Sequence, residues 1–581
     1  GDYLEVVDID PASDCAYAPV DLNHPYLLAQ DGLVPSQGNP QFHQQMVYAV
    51  AMTTIRNFER ALGRRVLWSQ ADEEQGYGYI QRLRIYPHAM REANAYYSPQ
   101  KKALLFGYFP ASTTDPGSNL PGGTVFTCLS HDIVAHETTH ALLDGLHRRF
   151  IEPSNGDTLA LHEGFADIVA LFQHFSSPAA LRDQIRRTRG DLAGQNLLGQ
   201  LAQQFGQAIG NYGALRDALG ETDEVTRKWR PRDPDPADLQ KAHEPHERGA
   251  ILVAAVFDAF LTIYKSRIAD LLRIATSGTG VLPQGDLHPD LVERLAREAS
   301  ASAGHVLSMC IRALDHCPPV DVNFGDYLRA LVTADRDLVP DDDRGYRIAV
   351  IEAFRRRGIY PQGVRSLSAE SLCWAGPMGP DEDALRRLLP GVKSLQELRP
   401  DWSLSTPRKT AWEEMRKSAR AIHTWLQSAK ARDLAMHFGL ALGANAPRSI
   451  PRDRSGRPLF EVHSVRPARR LGPDGQTLTD LVIEITQKRH AYLNRRIQEQ
   501  VDQGKIEPPP HDFWFRGGCT ILIDLDHGEV RYCIGKGIAR DPRLAAQREF
   551  VRSVGSLSAT YFGGPRRREP AEPFALLHRS L

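Results

Sequence analysis

The sequence has few cysteines and no long uninterrupted apolar run. Its seven cysteines are scattered over 581 residues, and no two of them form a Cys-x-x-Cys pair. This spacing argues against a disulfide framework and against a cysteine zinc ribbon. The longest apolar stretch, Gly249 to Tyr264, is interrupted by Asp258. It falls short of the ~18 apolar residues that a membrane-spanning helix needs, so it predicts a buried helix and no membrane partner.

The start of the sequence also lacks a secretion signal. No basic segment followed by an apolar run stands near Gly1. Together with the scattered cysteines, this pattern leads us to expect a cytoplasmic protein.

The whole chain is almost neutral, with a net charge of −1, but its C-terminal part is basic and the part before it is acidic. Residues 401–581 carry 30 basic and 20 acidic residues, a net of +10, whereas the preceding residues carry 40 and 51, a net of −11. Such an asymmetry is typical of a solvated face and also of nucleic-acid or acidic-partner surfaces. The basic part therefore leaves open a regulatory partner or a nucleic acid.

The sequence shows no repeat of fixed period, which argues against a solenoid or a propeller. Its length predicts more than one core. Changes in composition and the Gly and Pro residues that end helices divide it into an extension, a main domain, a mainly helical connecting region and an α+β accessory domain. These cover residues 1–35, 36–361, 362–445 and 446–581.

Hydrophobic periodicity predicts an α+β protein. Stripes at helical spacing and short runs typical of strands both occur. We expect helices at about 39–64, 130–147, 158–175, 181–209, 246–268, 289–316, 327–332 and 342–357. We expect strands at 77–86, 103–109, 481–486, 519–525 and 530–534.

One short motif carries chemistry that is more specific than this pattern. The segment His136-Glu137-Thr138-Thr139-His140 lies in a predicted helix. Positions four apart share one helix face, so both imidazoles can reach a single ion while Glu137 holds a water beside it. A catalytic zinc usually has three protein ligands and one open position, so a third ligand is needed.

Glu163 is the best candidate for the third ligand. A metzincin would need Gly at 143 and His at 146, but both positions are leucine. Glu163 begins the next predicted helix, and Asp167 follows one turn later, where it can accept a hydrogen bond from a ligand histidine. The alternative is two amphipathic helices with surface acids.

These residues resemble the active site of the thermolysin family of zinc metalloproteases, the gluzincins. The resemblance covers roughly residues 35 to 361 and implies an N-terminal mixed β/α lobe and a helical lobe with the site between them. It is carried by Asp132 to Glu137 with Ala141 and Asp144, Asn94 to Tyr97, His246 to Ile251, Leu215-Arg216 and Asp326 to Gly358.

The resemblance implies a role for each matching residue. One zinc ion per chain is held by His136, His140 and Glu163, and Glu137 is the general base. His246 donates to the oxyanion, and Arg216 holds a nearby substrate carbonyl. The strand containing Asn94 and Ala95 pairs with the substrate backbone. An apolar pocket after the scissile bond is expected from Phe126, Leu129, Ile133 and Leu215, for which core packing is the alternative.

The sequence departs from the family at three positions. No tyrosine, the family's second oxyanion donor, occurs between Ala141 and His162, so His246 is expected to carry more of the stabilisation. His174 stands where a carboxylate would join Asp132 around a structural calcium, which we therefore do not expect. His162 replaces the asparagine that usually precedes the third ligand.

The sequence thus predicts a zinc-dependent endopeptidase that acts inside the cell on a restricted protein substrate. One alternative is an inactive, protease-derived binding protein. Another is a sensor of a partner or a nucleic acid, in which the basic C-terminal domain controls the protease.

Overall fold

The computed structural model describes residues 1–70, 78–114, 119–175, 177–190, 192, 220–222, 229–231, 233–377, 404–428, 434–553 and 572–578. Their architecture is α+β. The helices are α1 (Pro25–Ala29), α2 (Pro40–Leu62), α3 (His131–Leu146), α4 (Gly156–His174), α5 (Pro178–Thr188), α6 (Asp238–Lys241), α7 (Pro245–Ala275), α8 (Pro289–Ala313), α9 (Phe324–Leu338), α10 (Tyr346–Arg356), α11 (Ala369–Leu372), α12 (Arg408–Leu426), α13 (Arg495–Asp502), α14 (Asp541–Ser553) and α15 (Pro573–Leu577).

The strands form two main sheets. They are β1 (Leu4–Val6), β2 (Ile9–Asp10), β3 (Cys15–Ala16), β4 (Leu83–Met90), β5 (Ala95–Ser98), β6 (Ala103–Pro110), β7 (Thr124–Phe126), β8 (Gly220–Thr222), β9 (Trp229–Pro231), β10 (Glu461–Leu471), β11 (Thr477–Ala491), β12 (Phe513–Asp524) and β13 (Glu529–Lys536).

The first sheet ends in a strand beside the predicted site. Its order is β1-β4-β6-β5, and β7 pairs with the end of β6. Strands β1, β4 and β6 run parallel, whereas β5 is antiparallel to β6, with Ala95 opposite Phe106. The Tyr97 hydroxyl donates to Asp144 Oδ2 at 2.7 Å, which fixes β5 against α3.

Three core helices, α3, α4 and α7, carry the histidines and acids predicted for the site. Side-chain caps begin each of them, at Ser130, Asn155 and Glu244. Helices α4 and α7 cross where two glycines meet. A Cβ on Gly164 would lie 2.7 Å from the Gly249 carbonyl oxygen, so only glycine allows this close approach.

Helix α7 includes the longest apolar stretch of the sequence. By length and composition it is the one helix in the described part of the chain that could cross a membrane. However, 78% of its most apolar window is buried inside the protein, as expected for a core helix.

The second sheet belongs to the C-terminal part of the chain. Its order is β10-β11-β12-β13, and every pairing is antiparallel. Several of its buried residues are arginines whose charges are paired. Arg470 contacts Asp315 at 2.7 Å, and Arg64, two residues after α2, contacts the same carboxylate. Part of the basic excess therefore lies inside the protein rather than on a free surface.

The second sheet also contacts the end of α3. Arg466 donates to the Leu146 carbonyl at 2.7 Å and pairs with Glu484 at 2.6 Å. The carboxylate of Glu484 also lies 2.8 Å from His147 Nδ1. These buried groups join the C-terminal sheet to the helix that carries His136 and His140.

Candidate metal centre

Helix α3 brings the two motif histidines together. Residues His136 and His140 lie one turn apart on its buried face, and their Nε2 atoms are 2.9 Å apart. Both side chains are almost completely excluded from solvent. Two ring nitrogens that approach so closely in a dry site need a shared proton or a shared cation between them.

Helix α4 adds the carboxylate of Glu163. This residue is fully buried, and its Oε2 atom lies 3.4 Å from the Nε2 atom of His136 and from that of His140. Its other oxygen, Oε1, is buried and accepts no hydrogen bond from any described residue. A buried carboxylate with an unpartnered oxygen is costly unless a cation compensates its charge.

These three side chains fit a zinc ion. At Zn–N and Zn–O distances of ~2.0–2.1 Å, tetrahedral ligand atoms are ~3.3–3.4 Å from one another. The two distances from Glu163 Oε2 equal this spacing, while the two imidazole nitrogens are closer together. The donor set of two imidazoles and one carboxylate is one that catalytic zinc sites use.

Neighbouring groups orient the ligand histidines. Nδ1 of His136 is 2.7 Å from Asp167 Oδ1, and Nδ1 of His140 is 2.8 Å from Nδ1 of His162. In both rings Nε2 faces Glu163. The Asp167 carboxylate accepts from His136 and so holds a proton on Nδ1 of that ring, as expected for a metal ligand. His162, the residue before Glu163, is thus a direct hydrogen-bond partner of His140.

The ionisation of the centre suits a cation. Burial alone would raise the pKa of Glu163, but the surrounding imidazoles hold it well below its usual range. Burial keeps the pKa of His140 well below normal. Burial also opposes the charged form of His136, yet Asp167 and Glu163 raise its pKa to about 9. A metal ion and a proton would therefore compete for His136.

The motif glutamate lies between the metal ligands and strand β5. Glu137 Oε2 accepts a hydrogen bond from the Tyr97 amide at 2.8 Å. Strand β5 is at one end of its sheet, so its backbone is where an extended peptide could pair. The structure thus places Glu137, the neighbour of His136 in sequence, in hydrogen-bond contact with the edge strand β5.

His246 reaches the centre from the first turn of α7. Its Nε2 atom is 3.4 Å from Glu163 Oε2, and its Nδ1 atom is 2.9 Å from Glu244 Oε1. Burial would lower the pKa of His246, but these two carboxylates raise it to about 10. The crossing of α4 and α7 at Gly164 and Gly249 makes this approach possible.

The structure shows no ring contact or hydrogen bond between the candidate metal ligands and the residues predicted to line the substrate pocket, as far as these are among the described residues. Leu215 and Arg216 lie outside the described residues. The Phe126 ring packs against His43, with ring centroids 4.6 Å apart, and Ile133 is buried in the core. Leu129 is partly buried against the same core. All three residues contact the core, and a substrate pocket formed by them stays a prediction.

One further residue at the centre, His578, was not predicted from the sequence. His578, just after α15, places its Nε2 atom 3.4 Å from Glu163 Oε2. Its ligand atom and those of His136, His140 and Glu163 all lie within 4.8 Å of one another. The separation of 415 residues between His578 and Glu163 explains why no local motif could reveal it.

The position around Asp132, where the resemblance would put a structural calcium, has few oxygen donors. Asp132 Oδ1 lies 3.1 Å from His131 Nδ1 and 3.8 Å from His174 Nδ1. Calcium prefers six to eight oxygen ligands, whereas one carboxylate and two imidazoles are a poor set for it.

We therefore expect calcium to contribute little to stability. A chelator selective for calcium over zinc should leave Tm nearly unchanged in a thermal melt, because this site offers too few oxygens. A large fall in Tm that added calcium reverses would show that other oxygens complete a calcium site.

Comparison with known proteins does not assign the chain to a family. No protein-family model matches it, and no curated protein matches it. Its function has to be argued from its own residues.

Proposed function

We propose that this protein is a zinc-dependent endopeptidase of the thermolysin-like, two-lobed kind. The observation that supports this most strongly is the meeting of His136, His140 and Glu163 beside Glu137 and the edge strand β5. A metal-ligand set, an adjacent carboxylate and a strand edge are the parts that metal-assisted hydrolysis of a peptide requires.

The proposed reaction assigns one task to each side chain. When bound by His136, His140 and Glu163, zinc would supply a Lewis acid that polarises a carbonyl and lowers the pKa of water. Glu137, held by the Tyr97 amide through one oxygen, takes the proton of the attacking water and returns it to the leaving amine. His246, oriented by Glu244, donates a hydrogen bond to the developing oxyanion.

Substrate binding is proposed to follow the strand edge. An extended peptide would add to β5 through backbone hydrogen bonds at Ala95, with Asn94 beside it. Arg216 remains the residue predicted to hold a second substrate carbonyl. We propose a cytoplasmic setting and a protein or peptide substrate, since all seven cysteines are free thiols.

The inactive binding protein remains as the second candidate. It is favoured by the segment 572–578, which lies across the strand edge where substrate would pair. Against it stands Glu137, since a protein that only binds has no need of a base beside the ligands. We therefore prefer the enzyme.

Metal analysis tests the proposal. Protein purified without chelator should contain about one zinc per chain, and His140→Ala should lose most of it because a ligand is removed. His243→Ala is the matched control, since His243 is exposed and three residues before His246. Zinc-free wild-type protein, or full zinc content in His140→Ala, would contradict the proposed centre.

A further inference from the structure

The segment 572–578 lies along strand β5. The Asn94 side chain donates to the Ala575 carbonyl at 3.2 Å, and His578 Nδ1 donates to the Ala95 carbonyl at 2.9 Å. At the other end of the segment, Glu572 Oε1 accepts hydrogen bonds from Ser98 Oγ and Lys101 Nζ, each at 2.9 Å. The segment thus uses the backbone and side chains that the proposed substrate would meet.

The surface along β5 where the substrate would bind is called the substrate groove below. Phe574 covers its inner side, next to the candidate metal ligands. Its side chain is completely buried, and its ring stacks on His140, with centroids 4.3 Å apart and an angle of 23° between the planes. It also lies 5.1 Å from the ring of His162 and 6.2 Å from that of Tyr97. Truncating a fully buried phenyl ring removes much packing, so this contact holds the segment in place.

His578 places each ring nitrogen differently. Its Nδ1 atom faces the Ala95 carbonyl and lies 3.2 Å from Glu137 Oε1, so this nitrogen carries a proton. Its Nε2 atom is 3.4 Å from Glu163 Oε2, the same distance as from that oxygen to the Nε2 atoms of His136 and His140. A histidine that donates from one nitrogen to a carbonyl and points the other at a metal site is the usual ligand arrangement.

We propose that His578 is a fourth protein ligand of the zinc centre and that residues 572–578 occupy the substrate groove, so that the full chain is held latent. This inference rests on the zinc endopeptidase proposed above. A zinc site with four protein ligands is closed, whereas a catalytic site keeps one position open. His578 also contacts Glu137. One side chain would thus fill the open coordination position of the zinc and also contact the general base.

Latency of this kind is strong because the inhibitor belongs to the same chain. A tethered ligand typically acts at a millimolar effective concentration, which a dilute substrate does not match. Activity then requires that the segment be withdrawn or removed. The contacts that hold it are the ion pair of Glu572 with Lys101, the buried ring of Phe574 and the imidazole of His578.

Cobalt substitution of the full chain tests the coordination directly. The visible spectrum of Co²⁺ depends on its ligands and geometry, and acetohydroxamate is a small probe of an open position. In the wild type the spectrum should respond weakly to acetohydroxamate. In His578→Ala it should change at low probe concentration, with apparent affinity higher by ~10-fold or more, because apparent affinity scales with the fraction of open sites.

Two further variants separate ligation from folding. His527→Ala removes an exposed histidine of the C-terminal sheet and should behave as wild type. Glu572→Lys leaves every zinc ligand in place but sets a positive charge against Lys101, so it should also raise the affinity for acetohydroxamate and the rate of peptide cleavage. The charge-matched control is Glu507→Lys at an exposed position.

Each outcome decides between the two proposals. If acetohydroxamate binds the wild type as tightly as it binds His578→Ala, His578 is not a fourth ligand, and the proposed zinc enzyme is unaffected. If His578→Ala does not fold, equal affinity in Glu572→Lys and wild type overturns the latent state. If the chain binds no cobalt, the proposed metal centre is contradicted, and so is the latent state that depends on it.

Discussion

Replacing Glu137 with glutamine is expected to lower kcat by ~10²–10⁴-fold, the usual contribution of a general base. The fold and the zinc content should be retained, because Gln is isosteric and its amide oxygen can still accept the Tyr97 amide hydrogen bond. The measurement is steady-state cleavage of a peptide, made in the full chain and again in the His578→Ala background where the groove is open.

The control for this variant is Glu247→Gln, an exposed acid in the first turn of α7. It makes the same chemical change close to His246 without touching the centre, so its kcat should match wild type. Normal turnover in Glu137→Gln with bound zinc would mean that the carboxylate is not the base.

Substitution of His246 with alanine is expected to produce the second largest loss. One donor aimed at developing charge in a dry site contributes ~10²–10³ in rate. Because the interaction strengthens in the transition state, kcat should fall far more than KM rises. Zinc should stay bound, since His136, His140 and Glu163 remain.

The simpler role for His246 would be capping of α7, and a stability measurement tests it. That cap is made by Glu244, whose side chain accepts the Glu247 amide at 2.9 Å, while Pro245 occupies the first turn. A melt and a metal analysis on the preparation used for kinetics should therefore show folded, zinc-loaded protein. A normal kcat for His246→Ala in the His578→Ala background would contradict the catalytic assignment, and His243→Ala in the same background provides the matched histidine control.

Local sequence pattern was enough to predict the helices that carry the centre. The predicted helix at 130–147 is His131–Leu146, and that at 158–175 is Gly156–His174. Both have an apolar stripe and a side-chain cap, which are signals within a few residues of each other. The spacing of His136, Glu137 and His140 on one helix could be recognised for the same reason.

Strand β10 was missed because its buried face carries charges. In Glu461–Leu471 the buried residues include Arg466 and Arg470, whose partners Glu484 and Asp315 are distant in sequence. Period-two alternation of apolar residues, the usual strand signal, is therefore absent. The predicted strand at 77–86 begins later, at Leu83.

The contribution of His578 could not be predicted for a different reason. Segment 572–578 has no motif of its own, and its significance comes from the surface on which it packs. Only the fold brings it to Asn94, Ala95 and Glu163. The apolar residues Phe126 and Ile133 contact the core, and their role in a substrate pocket stays a prediction.

The most direct test of the central proposal, zinc-dependent peptide hydrolysis, is digestion of a random peptide library by the His578→Ala chain in metal-free and zinc-reloaded form. New N-termini are identified by mass spectrometry. We expect cleavage at a restricted set of sites with zinc, none after metal removal, and recovery on addition of one equivalent of zinc per chain. Cleavage at the same sites by the metal-free protein, or no cleavage by the zinc-loaded protein, would contradict the account.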